Sequence, residues 1–407
     1  RILKKEKPTG KDEAQLRLHY MNANPELRKL QRERERLTRQ LNLIKPPTTL
    51  VMVEMEKGRE THILNRGNYL DPGSKVAPSS PAILHRMDPS LPRNRLGFAR
   101  WLTSKENPLL ARVTVNRWWA AIFGRGIVTT PEDFGTQGES PSHPALLDWL
   151  ATELMEKGWS MKHMHKLMVM SHAFRQTARI TSTLLRRDPE NRYLARGPRF
   201  RLSAETIRDN ALSIAGLLSA KMYGKPIMRY EPSGIWKAVG RNQPRWVTST
   251  TEDRFRRGLY VVWKRGAPYP SFVNFDAPDR ASCTVQRART NTPLQALTLL
   301  NDPAYAEMAV ALAQRMMTES NDKSPESRVK LGFRLALARL PSKREILILA
   351  RLFEVERNKL KSQPKLVEQR LANLLPSMRK PGVSQLDLAA WFAVANVLLN
   401  LDETVSQ

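Results

Sequence analysis

The sequence predicts a mainly α-helical protein, a multi-helix domain with small β elements near residues 50–65 and 258–263. Three observations carry this. Helix-start signals recur along the chain, notably Thr292-Pro293-Leu294-Gln295 and Ser342-Lys343-Arg344-Glu345, which place a hydroxyl at the cap and Gln or Glu three residues on. Apolar residues fall at helical spacing, as in Ile207, Ala211, Ile214 and Leu218. Only short stretches alternate as strands do.

From the N-terminus, residues 11–44 read as one helix. Leu27, Leu30, Leu37, Leu41 and Ile44 take a and d positions of a heptad, with Arg34 at the remaining a position. Fewer than three heptads follow Pro25, so residues 1–47 are expected to be a helical linker or one arm of a helical hairpin, ended by Pro46-Pro47. Residues 48–94 should hold a β-hairpin, with strands at 49–55 and 60–64 around Lys57-Gly58, and then an extended connector over 67–95 rich in Pro, Gly, Ser and Asn. A domain boundary belongs there. Residues 95–407 form the α-helical domain. Its first helices cover 95–103 and 108–123, the second stopped by Gly124. Pro144 opens a helix that stops at Gly158, and Ser160 caps one running to Phe174. Another starts at Ser203. Residues 221–257 carry many Pro, Gly and Arg and read as a loop insertion, 259–263 as a short strand, and helices dominate from Pro293 to a last one over 386–401.

Composition narrows the chemistry. At 407 residues the chain can hold two or three cores; beginning at Arg1, it reads as a piece of a longer polypeptide. No apolar run approaches the roughly 20 residues that span a bilayer. One cysteine excludes an internal disulfide framework and a Cys-rich zinc site, and no CxxCH haem-attachment motif occurs. The net charge is +28, and half of it sits in residues 175–290, where 23 Lys and Arg face 9 Asp and Glu. Nineteen of those cations are arginine, whose planar fork suits carboxylate, phosphate or sulfate. A solvated basic face would show the same composition.

Four groups of residues could carry chemistry. The helix start RLSAETIRDN sets Glu205, Arg208 and Asp209 at i, i+3 and i+4 on one face, with Arg201 just upstream. Two carboxylates beside a guanidinium suit a hydroxylated ligand; they also suit a plain charge network in which Ser203 caps the helix. His163, His165 and His172 lie on one expected helix, but His163 and His165 point about 200° apart, so no metal site is expected. His143 precedes Pro144 as a helix cap or as part of a site with Glu132 or Asp133. Cys283 lies among Asp279, Arg280 and Arg287, where a thiol could act as a nucleophile, yet a lone cysteine is more often a small buried apolar group. Last, residues 274–303 gather Asp276, Asp279, Arg287 and Arg289 before a capped helix start, whose positive end favours an anion. Asn116 and Arg117 could face them, with Trp118 or Trp119 as a stacking surface. The same run could equally be an irregular loop holding helical layers together.

Several motifs together resemble one family. NRWWAAIFGRGIVTTPEDFGTQGESPSHPALLDWLA, GWSMKHMHKLMVMSHAFRQTA, RLSAETIRDNAL, YVVWKRGAPYPSFVNFDAPDR and RTNTPLQALTLLNDPAY are similar to domain of unknown function 1553, and the terminal WFAVANVLLNLDE is similar to its last helix. The resemblance covers roughly residues 60–405. It implies a planctomycete-type module that follows a second uncharacterised domain and often a cytochrome-c-like domain, exported to the periplasm or cell surface, in company with sulfatases and polysaccharide-degrading proteins. It implies no established activity and no cofactor. The expected function is therefore binding or processing of an anionic polysaccharide, sulfated or uronic, with Asn116, Arg117, His143, Arg201, Arg208, Arg287 and Arg289 as ligand contacts. Glu205, Asp209, Asp276 and Asp279 are the carboxylates for any acid–base step. Two alternatives stay open: a non-catalytic module docking a cytochrome-c-like or other acidic domain, and nucleic-acid binding, for which charge suffices but no recognition motif is present.

Overall fold

The computed structural model describes residues 9–44, 48–56, 58–81, 83–228, 230, 247–249, 251–374 and 376–406. Among them are sixteen α-helices and one two-stranded sheet. The chain divides into two units, Arg1–Val76 and Ala77–Gln407.

In the first unit the expected single helix is two, α1 (Gly10–Ala23) and α2 (Pro25–Leu43). Pro25 removes an N–H and forces the preceding residue out of the helical region, and Asn24 is extended, with ψ 118°. Its Oδ1 then accepts the Glu26 and Leu27 N–H groups, so the break doubles as a cap. The apolar stripe on α2 finds no partner: Leu30, Leu37 and Leu41 are exposed. The hairpin is displaced from its expected place. Strand β1 (Thr61–Leu64) pairs antiparallel with β2 (Pro72–Val76), in the register Thr61↔Val76 and His62↔Lys75. Residues 49–55 form no ladder, and β2 falls inside the stretch expected to be connector. The reversal is made by Arg66 and Gly67, at φ 50° and 74°, because consecutive left-handed residues turn the chain sharply there. The turn expected at Lys57-Gly58 falls partly on Lys57, outside the described residues.

In the second unit the helices are α3 (Arg95–Leu102), α4 (Leu110–Phe123), α5 (Pro144–Glu156), α6 (Met161–Val169), α7 (Ser182–Arg187), α8 (Ala204–Ile214), α9 (Pro270–Asn274), α10 (Pro293–Asn301), α11 (Pro303–Glu319), α12 (Pro325–Leu337), α13 (Lys343–Lys361), α14 (Pro364–Leu371), α15 (Gln385–Asn400) and α16 (Asp402–Val405). The expected caps hold. Ser160, Ser203 and Ser342 each accept an N–H from the first turn, and Glu345 returns the bond to Ser342. Helix α6 ends five residues before Phe174, because the Ser171 hydroxyl draws the Phe174 N–H into a turn. Between residues 258 and 263 a strand gives way to a 3-10 turn, Gly258–Tyr260, and one parallel bridge from Val261 to Ile227. Residues 229, 231–246 and 250 of the expected Arg-rich insertion lie outside the described residues.

Two apolar cores result. Helices α4, α5 and α6 enclose Val115, Trp119, Leu150, Leu154, Met164 and Met168. The larger core surrounds α11 and α15. Helix α11 is buried nearly all round, from Tyr305 through Gln314, as befits the centre of a bundle. Small residues let α15 approach it: Ala389, Ala390 and Ala395 are inaccessible. Helix α12 comes equally close, since a Cβ on Gly332 would stand 2.6 Å from Leu398 Cδ1. Trp391 fills the gap toward α13, stacked on Phe353 with centroids 4.4 Å apart.

Irregular segments between the helices leave many carbonyl groups to satisfy, and buried arginines meet them. Arg256 donates to the carbonyls of Lys221 at 3.3 Å and Lys225 at 3.0 Å, and to that of Tyr223, with its guanidinium 3.7 Å from the Tyr260 ring centroid. Arg196 does the same for Asp188 and Pro189. Arg254 instead reaches buried Glu307, at 2.7 Å. Burial pushes the Glu307 carboxyl up to about 7 against the pull of Arg254.

Trp391→Ala should lower stability by about 3–5 kcal/mol, as for large-to-small changes in packed cores, whereas Leu37→Ala on the exposed stripe should stay within about 0.5 kcal/mol; urea denaturation compares them. Because the folded Glu307 holds its proton to higher pH than the unfolded chain, its contribution is full below 4.5 and fades as pH rises through about 7. Glu307→Gln should therefore flatten the stability profile between those limits, measured by denaturation midpoints against pH.

Candidate functional site: an arginine-lined cleft

A cleft of about 530 Å³ opens in the second unit between the C-terminal half of α4, the segment leading into α8, and residues 285–289. Gly124 makes it geometrically feasible. It ends α4 in the left-handed conformation, φ 83°, and a Cβ there would stand 2.6 Å from Phe200 Cδ1. With no side chain, Phe200 closes against the helix end. Arg289 lies over the Phe200 ring, 4.4 Å from its centroid, and donates to the Gly124 carbonyl at 2.8 Å. This burial draws the Arg289 pKa below its ordinary value, though an arginine keeps its charge at any physiological pH.

Four more guanidiniums line the cleft. Arg201 donates to Asn291 Oδ1 at 2.8 Å and to Gln295 Oε1. Arg287 pairs with Glu205 at 2.8 Å, and Arg125 with Glu190. Arg117, exposed on α4, has no partner among the described residues. Against these five stands one lining carboxylate, Asp276. It holds a left-handed backbone, φ 61°, and accepts the Thr290 N–H at 2.7 Å and its hydroxyl at 2.8 Å. The cleft is thus strongly cationic.

Glu205 lies behind its rim. Burial alone would raise this carboxyl, but the Arg287 hydrogen bond, a backbone hydrogen bond and the charges of Arg287 and Arg280 together outweigh it and hold the pKa below 4.5. One turn on, Asp209 faces away, into a shallower depression beside Arg257 and Glu403. Its pKa is raised by burial, against the bond it accepts from the Gly258 N–H at 2.7 Å.

The structure brings Arg117, Arg201, Asp276, Arg287 and Arg289 to one cleft, with Glu205 attached through Arg287. It disperses the rest. Asn116 touches the cleft wall, but its amide is spent at both ends on Val128, donating to the carbonyl and accepting from the N–H, each at 2.9 Å. Arg208 is buried and bound to the carbonyls of Arg254 and Arg256, at 2.8 and 2.7 Å. His143 lies elsewhere, edge-on to Tyr193 and 3.0 Å from Ser142 Oγ. Asp279 closes its own turn on the Ala281 N–H, 2.9 Å. Trp119 stacks on Phe123 in the core and Trp118 meets His165 edge-on, so neither indole is a platform in the cleft. Cys283 is exposed rather than buried. Among the described residues no three His, Cys, Asp or Glu converge as metal ligands, and no helix is long and apolar enough to cross a membrane.

Sequence reasoning missed Phe200, Arg125 and the site role of Gln295. Buried Gln295 accepts from Arg201 and from the Thr292 N–H at 3.4 Å, and donates to Thr290 Oγ1 at 3.1 Å. Its position as third residue of a capping box was legible; its second use, toward an arginine 94 residues earlier, has no local signal.

Replacing Arg287 with Gln should remove the strongest pull against the burial of Glu205, leaving its backbone hydrogen bond and the Arg280 charge to oppose it. The Glu205 pKa, followed by carbon-detected NMR titration, is expected to rise; an unchanged value would mean that Arg287 does not set it.

No curated protein and no solved structure matches the chain. A family model matches residues 94–353, which hold every residue of the cleft. The chain belongs to the PSD1 family of proteins of unknown function, DUF1553.

Proposed function

We propose that the cleft binds an anionic group, and that its ligand is a sulfated or uronic polysaccharide met outside the cytoplasm, in the periplasm or at the cell surface. The observation that carries this is Arg117. It brings a guanidinium without a partner among the described residues to a concave wall already lined by four other arginines, where Asp276 is the one carboxylate among the described residues. A planar fork at such a wall can donate two parallel hydrogen bonds to a sulfate or carboxylate. The Phe200 ring, a lining residue beside the Arg289 guanidinium, gives a sugar face an apolar surface next to the charge.

The carboxylates favour binding over catalysis. Asp276 is held by Thr290 and Glu205 by Arg287, while Asp209 and Asp279 are outside the cleft. No two free carboxylates face each other across it, as acid–base cleavage of a glycosidic bond would require.

Affinity electrophoresis through gels containing heparan-type or polygalacturonate chains tests the proposal. Retention is expected in both and not in neutral dextran. Arg117→Ala should weaken it by roughly tenfold or more, the scale of one charge-assisted hydrogen bond. Arg334→Ala, which removes an equal charge from exposed α12, should change it little. Equal losses in the two variants would reduce the binding to net charge. Retention of acidic proteins alone would assign the cleft to an acidic partner domain instead.

A further inference from the structure

A second concavity, independent of the arginine cleft, lies on the other face of the smaller core. Its walls are two helix faces. Leu146 and Trp149 come from α5, three residues apart; Lys166 and Leu167 come from α6, and Met170, its C-cap, lies four and three residues beyond them, on the same side. Trp119, itself buried, forms the floor. The volume is about 810 Å³, within the range of small-molecule sites. The walls are left uncovered: Trp149 is 51% exposed and Met170 56%, although large apolar side chains grouped in a hollow are the ones a folded protein normally buries.

The polar groups in this hollow are mostly spent. His163 Nε2 lies 2.7 Å from Glu153 Oε1, and the Ser171 hydroxyl donates to the Met168 carbonyl at 2.7 Å. The Lys166 ammonium has no partner among the described residues. The groove therefore offers an apolar bed with one available charge, and that charge is positive.

We propose that this groove is a binding site for a free amphiphilic anion, with an aliphatic or aromatic body on Trp149, Leu146, Leu167 and Met170 and a single carboxylate or sulfate head at Lys166. Methionine and tryptophan suit such a ligand, because a flexible thioether adapts to its shape and an indole gives a broad apolar face. The site makes no use of the cleft arginines, so it stands or falls separately from polysaccharide binding.

Calorimetric titration of the folded 407-residue chain with monomeric dodecanoate and dodecylammonium, below their micelle concentrations, tests it. One saturating site is expected, tighter for dodecanoate. Lys166→Gln should weaken dodecanoate by about tenfold, one charge-assisted contact, and leave dodecylammonium unchanged or stronger. Lys162→Gln, an exposed charge on the same helix outside the groove, should leave both unchanged. Trp149→Ala, at an exposed position that folding does not require, should weaken both. Absence of a saturable site overturns the proposal, as does equal weakening by the two lysine variants or undiminished binding in Trp149→Ala. Circular dichroism of each variant confirms that a loss of binding is not a loss of fold.

Discussion

The burial of α11 against α15 is the constraint on which the second unit depends. A helix buried nearly all round must have neighbours nearly all round, and α11 obtains them from α15, α12, α10 and α8. Its first residue follows Asp302, which ends α10 and caps α11 with a 2.8 Å bond to the Ala304 N–H. Fixing α11 therefore fixes α10, and with it Gln295. Gln295 holds Arg201 and Thr290, and Thr290 holds Asp276. An apolar contact deep in the core thus sets the far wall of a polar cleft through four hydrogen-bonded side chains.

Arginine does two different jobs in the middle third of the sequence, and charge alone does not separate them. Arg196, Arg208 and Arg256 are buried and spend their donors on backbone carbonyls of irregular segments. They replace the hydrogen bonds that a helix or sheet would have supplied. Arg201, Arg287 and Arg289 line the cleft, Arg201 anchored on Asn291 and Gln295, Arg287 on Glu205 and Arg289 on the Gly124 carbonyl. Arg117, from the helix α4 upstream of that third, joins them with no partner among the described residues. The excess positive charge of the chain thus divides between internal scaffold and the wall of an open cleft.

Much of the helical frame was legible because its signals are local. Ser160, Ser203 and Ser342 are caps wherever such residues precede an apolar repeat, and Gly124 and Gly158 mark stops through their left-handed backbone. The hairpin was misplaced because residues 49–55 have strand composition but no partner edge, while Pro72–Val76 pairs despite its proline and glycine. At the cleft, the arginines and Asp276 were legible as residue types gathered near a helix start. Their partners were not. Nothing near Asn116 announces that Val128 will consume its amide, and nothing near Arg208 announces the carbonyls of Arg254 and Arg256. Such assignments belong to tertiary packing, where one side chain's availability depends on loops far off in the chain.

A built anion site at Arg117 and its neighbours differs from a merely basic surface in where a bound ligand would lie. A crystal structure of the chain with a sulfated oligosaccharide tests this most directly. The predicted result is a sulfate or carboxylate within hydrogen-bond distance of the Arg117 guanidinium, with the sugar against Phe200 and the Arg287–Glu205 and Arg289–Gly124 contacts bordering it. An oligosaccharide bound elsewhere on the basic surface, with the cleft left open, would contradict it.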